Sequence, residues 1–221
     1  MPKVVVALTL CIAVAAAALA ILGGAAADYL SATISIAALV ISLLAAFKED
    51  IFPFRPKVFM DEIILAAPGM TDQVSPSIVL PIVFINEGHG SGVIQGLTLK
   101  VETTTSTMVY TPVAEIDQVK FITGKRGIHA ENMLGAFNMF QMNSRGTVKR
   151  YILFTQEPAS KRYPFSTWNP AQHVFRLYMK HSGSSIVVQA CSSGHAITGK
   201  LLADYQAGTS ASLSPDRELD A

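Results

Sequence analysis

Two long uncharged runs near the amino terminus constrain this chain more than any other feature. Residues 4–22 and residues 30–47 contain no charged side chain, and a helix over either run would be roughly 27 Å long. That length nearly matches the hydrocarbon core of a bilayer, which is about 30 Å thick. Gly23 and Gly24 permit a turn between the runs. The pattern predicts a transmembrane helical hairpin over residues 1–47.

Basic residues flank this predicted hairpin. Lys3 precedes the first run, Lys48 follows the second, and the hinge contains neither Lys nor Arg. Since basic residues near span ends stay cytoplasmic, we expect an inner-membrane protein with two spans and a cytoplasmic soluble part. An alternative interpretation takes the first run as a secretory signal with Ala25 to Ala27 as its cleavage site. Both interpretations place the soluble part in the cytoplasm.

The rest of the chain divides into three parts by composition. Residues 48–57 mix charges with two Phe and two Pro, which is typical of a connector lying at a membrane surface. Residues 58–208 are long enough for one domain with a hydrophobic core. Residues 209–221 are rich in Ser and Ala and lack apolar periodicity, so we expect a disordered tail.

Residues 58–208 carry the pattern of β-strands. Short apolar runs, many of them alternating with polar residues, are bounded by Gly, Pro, Asn and Ser. Many short strands without long intervening helices predict an antiparallel sandwich. The pattern of residues 129–142 fits either a short amphipathic helix or a strand rich in Met and Phe. The expected strands are residues 58–66, 78–86, 93–102, 108–114, 119–123, 148–155, 173–181, 186–191 and 197–203.

One stretch within this pattern resembles a known class of domain. The sequence Val83-Phe84-Ile85-Asn86-Glu87-Gly88 is closely followed by Gly92-Val93-Ile94 and by alternating residues 97–101. The arrangement resembles the second and third strands of immunoglobulin-like sandwich modules found in many membrane-attached bacterial proteins. The resemblance implies an immunoglobulin-like all-β fold with a binding or scaffolding role and no catalytic residue. The Cys-Trp-Cys core of antibody domains is absent from the sequence, which excludes antibody-type membership.

The cysteines, histidines and net charge argue against several functions. Cys11 lies in the first apolar run and Cys191 in the soluble part, so neither a disulfide within the domain nor a Cys-based metal cage is expected. The five His show none of the close spacings that place two imidazoles on one metal. Lys and Arg number 17 and Asp and Glu 16, which offers no basic surface for nucleic acid. We therefore predict no metal, no cofactor and no nucleic-acid partner.

The glycine-rich loop Gly88-His89-Gly90-Ser91-Gly92 is the strongest candidate for an anion site. Backbone amides of such a loop can cradle phosphate. However, no Lys-Ser or Lys-Thr pair follows it, and the next segment has the pattern of a strand instead of a helix. The sequence therefore favours a simple connection between two strands. No serine lies in a Gly-x-Ser-x-Gly nucleophile motif.

The loop between residues 158 and 170 is the candidate contact surface. It gathers cations and aromatic rings, the residue types that most often anchor interfaces. Its candidate residues are Lys161, Arg162, Tyr163, Phe165 and Trp168, the last being the only Trp of the chain. Either a protein partner or an anionic lipid surface would suit them. The alternative is that Phe165 and Trp168 fold inward and cap the open end of the domain.

Together these observations predict a non-enzymatic protein. We expect a membrane-anchored cytoplasmic β-sandwich that acts as an interaction or scaffolding module, with the lipid bilayer and a protein as partners. The alternative is a membrane-bound hydrolase whose active site the sequence does not locate. A concave site with convergent polar groups and perturbed titratable residues would favour the enzyme.

Overall fold

The computed structural model describes residues 26–47, 53–60, 62–66, 77–123, 128–156, 168, 170–208 and 210–213. Within these residues the chain forms three α-helices, one 3-10 helix at Ala130–Asn132 and eleven β-strands. The helices are α1 (Ala26–Ala46), α2 (Gln118–Thr123) and α3 (Gly199–Gln206). The strands are β1 (Pro56–Met60), β2 (Ile63–Ala66), β3 (Ser77–Asn86), β4 (Gly92–Glu102), β5 (Thr107–Ile116), β6 (Met133–Ala136), β7 (Phe140–Met142), β8 (Thr147–Gln156), β9 (Ala171–His181), β10 (Val188–Ile197) and β11 (Ala211–Leu213).

All eleven strands belong to one antiparallel sheet. Its order is β10-β9-β4-β5-β8-β3-β2-β11, with β1 beside β3, β6 beside β5 and β7 beside β4. The terminal strand β10 also lies close to β1 and β11 at the other end of the sheet. The sheet therefore curls into a nearly closed, barrel-like shape, and the predicted immunoglobulin-like sandwich is wrong. Alternating residues signal a sheet with one buried face, but they do not distinguish two packed sheets from one curled sheet.

The main hydrophobic core lies inside the curled sheet. Long strands contribute every second residue to it, as Leu97, Leu99 and Val101 of β4 and Phe175 and Leu177 of β9 do. This alternation follows from the two-residue period of a strand. Burying these large side chains out of water is the main stabilising contribution to such a fold.

A second hydrophobic cluster lies on the outer face of the sheet. Phe121 of α2 packs there against Val79 of β3, Ile116 of β5 and Leu153 of β8. A bulge in β5 between Pro112 and Ala114 shifts the register; Tyr110 before it belongs to the inner core, and Ile116 beyond it to the outer cluster. Because α2 covers this outer face, β3 is buried along nearly its whole length.

Strands β6 and β7 occupy the place where β4 and β5 separate. β4 pairs with β5 only over Leu99–Glu102, whereas its first residues pair with β7. The far end of β5 pairs with β6, and the Phe137 N–H donates to the Val113 carbonyl oxygen at 2.9 Å. Residues 129–142, for which the sequence allowed either a helix or a strand, thus contain two short strands.

The helix α1 corrects the prediction of a transmembrane hairpin. In the described part of the chain, no helix combines the length and the apolar character needed to cross a membrane. α1 begins at Ala26, which puts Asp28 inside its first turn. The predicted hairpin and the predicted two-span inner-membrane localisation are therefore wrong; residues 4–22 lie outside the described residues.

Three local expectations also differ from the structure. Residues 118–123 and 199–206 form α2 and α3 where strands were expected. Part of the expected disordered tail is β11, which pairs with β2. Hydrogen bonds that cap the amino-terminal ends of α2 and α3 explain why these two segments are helical. Asp117 Oδ1 accepts hydrogen bonds from Val119 N at 2.9 Å and Lys120 N at 3.1 Å, and Thr198 Oγ1 accepts one from Leu201 N at 3.2 Å.

Candidate functional site

The glycine-rich loop between β3 and β4 encloses the segment that leads into β1. A Cβ at Gly88 would lie 1.9 Å from the Pro53 carbonyl oxygen, and a Cβ at Gly92 would lie 2.2 Å from the Phe54 ring. Only glycine permits such close approach. The other side of Phe54 contacts His181 edge to face, with ring centroids 5.6 Å apart. The loop therefore packs closely around Phe54.

The side chain of Asn86 stabilises the conformation of this loop. Its Oδ1 accepts hydrogen bonds from Arg55 N at 3.2 Å and Gly88 N at 3.0 Å. Its Nδ2 donates to the carbonyl oxygens of Gly90 at 2.8 Å and Asn143 at 2.9 Å. Both functional ends of the amide are fully used. These contacts give the loop a structural role, which agrees with its interpretation as a strand connection.

Of the five candidate contact residues, only Trp168 is among the described residues. Its side chain is 2% exposed and stacks on His173, with ring centroids 5.3 Å apart. It also contacts Phe175 at 6.3 Å. This position agrees with the alternative in which Trp168 folds inward. Lys161, Arg162, Tyr163 and Phe165 lie outside the described residues.

Polar side chains surround Trp168 inside the sheet. We call this set, Tyr110, Trp168, His173, Ser193 and His195, the interior polar cluster. His173 on β9 lies directly opposite His195 on β10, and both side chains are buried. Ser193 Oγ lies 2.8 Å from His195 Nε2, and His173 Nδ1 lies 2.9 Å from the Ala171 carbonyl oxygen.

Burial keeps two titratable members of this cluster, His173 and Tyr110, neutral. Removal from water lowers the pKa of His173, and the hydrogen bond to Ala171 opposes this shift only in part. Burial, assisted by nearby Tyr205, raises the pKa of Tyr110 far above its ordinary value, against a weaker opposing effect of Trp168. At neutral pH the cluster therefore presents an uncharged imidazole and a protonated phenol.

The Ser193–His195 pair alone does not make a catalytic site. A serine nucleophile needs a base that a third group orients. In the described part of the chain, no group of three or more His, Cys, Asp or Glu could hold a metal. Nearby on β10, burial raises the pKa of Cys191 to about 12, so its thiol stays protonated and unreactive.

A different surface feature surrounds β6 on the outside of the molecule. All four residues of β6 are exposed, and large apolar side chains lie on β6, on the neighbouring end of β5, on α2 and on the link to β7. The Asp117 N–H donates to the Asn132 carbonyl oxygen at 2.7 Å, which ties α2 to the start of β6. We call these exposed side chains the apolar edge: Val113, Val119, Ile122, Met133, Leu134 and Met139.

No protein-family model matches this chain, and a comparison with curated proteins gives no match either.

The sequence contained partial signals of both features. His173 occupies a buried position in the alternating run that continues with Phe175, Leu177 and Met179, so its inward direction follows from β9. The uncharged Met133-Leu134-Gly135-Ala136 run is visible in the sequence. Its exposure is not, because an apolar strand normally signals burial.

Proposed function

We propose that this protein is an interaction module that binds an extended apolar segment of a partner protein at β6. The apolar edge is the observation that supports this proposal. Leu134 is 66% exposed and Met139 67% exposed. Contiguous apolar patches on a protein surface mark interaction sites, and Met is enriched in interfaces and adapts to varied partners.

The backbone of β6 supports an extended partner. Within the described residues, β6 pairs with β5 alone, so its other edge offers backbone donors and acceptors. Proteins normally protect such edges with charged side chains, proline or a covering element. β6 contains neither charge nor proline. An added strand would satisfy the backbone groups and place alternate side chains against the apolar edge.

The charges near the apolar edge favour an apolar partner. Lys120 Nζ donates to the Glu131 carbonyl oxygen at 3.2 Å, and Arg150 forms an ion pair with Glu115. These groups already have partners within the chain. Among the described residues these charges are thus already engaged, and we expect burial of apolar area to provide the affinity.

The proposal is tested by selecting binders from a displayed library of random extended peptides against the full chain. We expect selected peptides with apolar residues at alternate positions. Leu134→Lys should weaken their binding at least about 10-fold, since burial of one Leu contributes about 1.5–3 kcal/mol. The matched control is Ile186→Lys, because Ile186 is 67% exposed on the loop between β9 and β10, and this substitution should not affect binding.

Backbone pairing is tested by N-methylation of a selected peptide. Methylation at alternate residues removes the N–H groups that would pair with β6 and should abolish binding, whereas methylation at the intervening residues should not. The proposal fails if no peptide is selected, if Leu134→Lys and Ile186→Lys have equal effects, or if the protein only self-associates through β6 in sedimentation experiments.

A further inference from the structure

The outer face of β3 changes character along the strand. Near its start, Val79 is buried in the outer cluster together with Phe121 of α2. Val83 and Ile85 continue the same face, because residues two apart on a strand point the same way. Unlike Val79, both are only half-buried. The second half of β3 therefore contributes a short apolar strip to the surface of the molecule.

Basic residues border this strip on both sides. On β1, Lys57 lies directly opposite Ile85. Phe59 of β1 and Lys149 of β8 both lie opposite Val83, one on each side. Residues that are directly opposed in antiparallel strands have side chains on the same face. The strip thus has a cation on either side of it.

Two arginines extend this border beyond the end of β3. Arg55 precedes β1, and its carbonyl oxygen accepts a hydrogen bond from Glu87 N at 3.0 Å. Arg145 precedes β8, and its N–H donates to the Gly88 carbonyl oxygen at 3.1 Å. Both arginines are exposed, as are Lys57 and Lys149. We call the strip and its four bordering cations, Arg55, Lys57, Arg145 and Lys149, the basic face.

The positive charge of the basic face is only partly balanced in the part of the chain that the structure describes. Lys57 Nζ lies 2.6 Å from Glu87 Oε1. Arg145 Nη2 contacts His89 Nε2 at 2.7 Å, and Lys149 Nζ lies over a tyrosine ring of its own strand at 5.5 Å, but neither contact supplies a negative charge. Four cations against one carboxylate leave an excess of three positive charges, whereas the whole chain has a formal net charge of +1.

The backbone at Arg145 supports a role for its side chain. Its φ is 52°, which is the left-handed conformation that favours glycine or asparagine. Backbone strain of this kind is concentrated at binding sites and other functional positions. The turn itself does not require an arginine, so the guanidinium is the part of this residue that a binding role would use.

We propose that the basic face binds an acidic amphipathic helix of a partner protein. A helix satisfies its own backbone groups and can therefore cover a sheet face, as α2 does on the same side of β3. Its apolar side chains cover Val83 and Ile85, and its carboxylates on both flanks meet the bordering cations. Neighbouring strands are about 4.8 Å apart, so β1 and β8 border a width of roughly 10 Å, which is the diameter of a helix.

A protein helix suits this face better than nucleic acid does. Single-stranded nucleic acid binds to basic grooves in which successive bases stack on aromatic rings. Phe59 is 46% exposed beside the strip, but Tyr151, the next ring along β8, is 7% exposed. The basic face shares no residue with β6 or with the apolar edge, so this proposal and the proposed function can fail separately.

The probe is a fluorescent synthetic peptide of Leu, Ala and Glu, about 18 residues long so that it can form a helix. Leu occupies one helical face and Glu both flanks. Titration of the full chain, followed by fluorescence anisotropy, should show saturable binding that weakens as salt is added. A peptide of the same composition without the apolar face, and one with Lys in place of Glu, should each bind at least about 10-fold more weakly.

A matched pair of charge reversals assigns the binding to the basic face. Lys149→Glu should weaken binding of the acidic peptide at least about 10-fold and strengthen binding of the Lys peptide. Lys180 is exposed on β9, so Lys180→Glu makes the same change of charge elsewhere and should leave both affinities unaltered. Arg145→Asn suits the left-handed backbone, so it should keep the thermal stability of the protein while it weakens binding of the acidic peptide several-fold.

Any of four results would overturn the proposal. The first is no saturable binding of the acidic peptide, or equal binding of its Lys version. The second is an equal effect of Lys149→Glu and Lys180→Glu, with Arg145→Asn as the test if Lys149→Glu does not fold. The third is tighter binding of a thymidine oligonucleotide or of anionic lipid vesicles. The fourth is peptide binding only after removal of residues 214–221, which would assign the face to this chain's own acids, Asp216, Glu218 and Asp220.

Discussion

Trp168 links the packing of the core to the polar groups inside it. Its ring covers His173 and contacts Phe175, so one side chain shields both an aromatic cluster and a buried imidazole from water. The sequence placed it in a contact surface because Trp is an interface residue. The residue type alone did not reveal its direction, since a Trp in a loop packs inward or outward according to the space that the sheet leaves.

Replacing Trp168 by Ala should lower the free energy of unfolding by about 3–5 kcal/mol, because the substitution leaves a large cavity in the core. Urea unfolding followed by circular dichroism measures this change. Trp168→Phe should lose less, since a ring remains against His173. The control is Phe59→Ala, because Phe59 is 46% exposed on β1 and should change stability little. Loss of equal size at both sites would contradict the role of Trp168 in the core.

Among the elements, those with long alternating patterns were the most predictable from sequence. β3, β4, β5, β8 and β9 begin and end within about two residues of their expected limits, the usual uncertainty of element ends. The short apolar runs that form α2 and α3 are compatible with either a helix or a strand at that length. Asp117 and Thr198 before them were the available signals of helix starts. The interior polar cluster depends on how β9 pairs with β10 and on how the sheet curls, neither of which is specified by alternation within one strand.

The strand β11 illustrates pairing between distant segments, and it gives a prediction. Leu213 is buried in the main core, whereas Ser212 beside it is exposed. Leu213→Ala should therefore destabilise the protein by about 2–5 kcal/mol, and Ser212→Ala should have a much smaller effect. Chemical denaturation of both variants measures the difference. If Leu213→Ala is as stable as the unaltered chain, β11 does not contribute to the fold.

At the scale of the whole molecule, buried histidines link stability to pH. Burial lowers the pKa of both His173 and His181 from the ordinary value of 6.5. The unfolded chain therefore binds protons more readily than the folded chain below that pH. The stabilising contribution is complete above about pH 7 and decreases as the pH falls below 6.5.

Unfolding experiments between about pH 7.5 and 5.5 test this linkage, in a range where carboxylates titrate little. Stability should fall with decreasing pH, and His173→Phe should make the fall shallower. His129 is exposed, so His129→Gln serves as the control and should keep the original slope. If the stability of the unaltered chain does not change with pH in this range, the buried histidines do not link stability to pH.

The pairing of β2 with β11 also has a consequence for synthesis of the chain. Glu62, just before β2, bonds to Ser212 of β11 across 150 residues of sequence, whereas β2 finds its other neighbour, β3, soon after it is made. At ribosomal speeds of about 5–20 residues per second, roughly 8–30 s pass before β11 has been made. During that time one edge of β2 has no strand to pair with. A nascent chain of this kind therefore depends on its surroundings at the ribosome to protect that edge until β11 has been made.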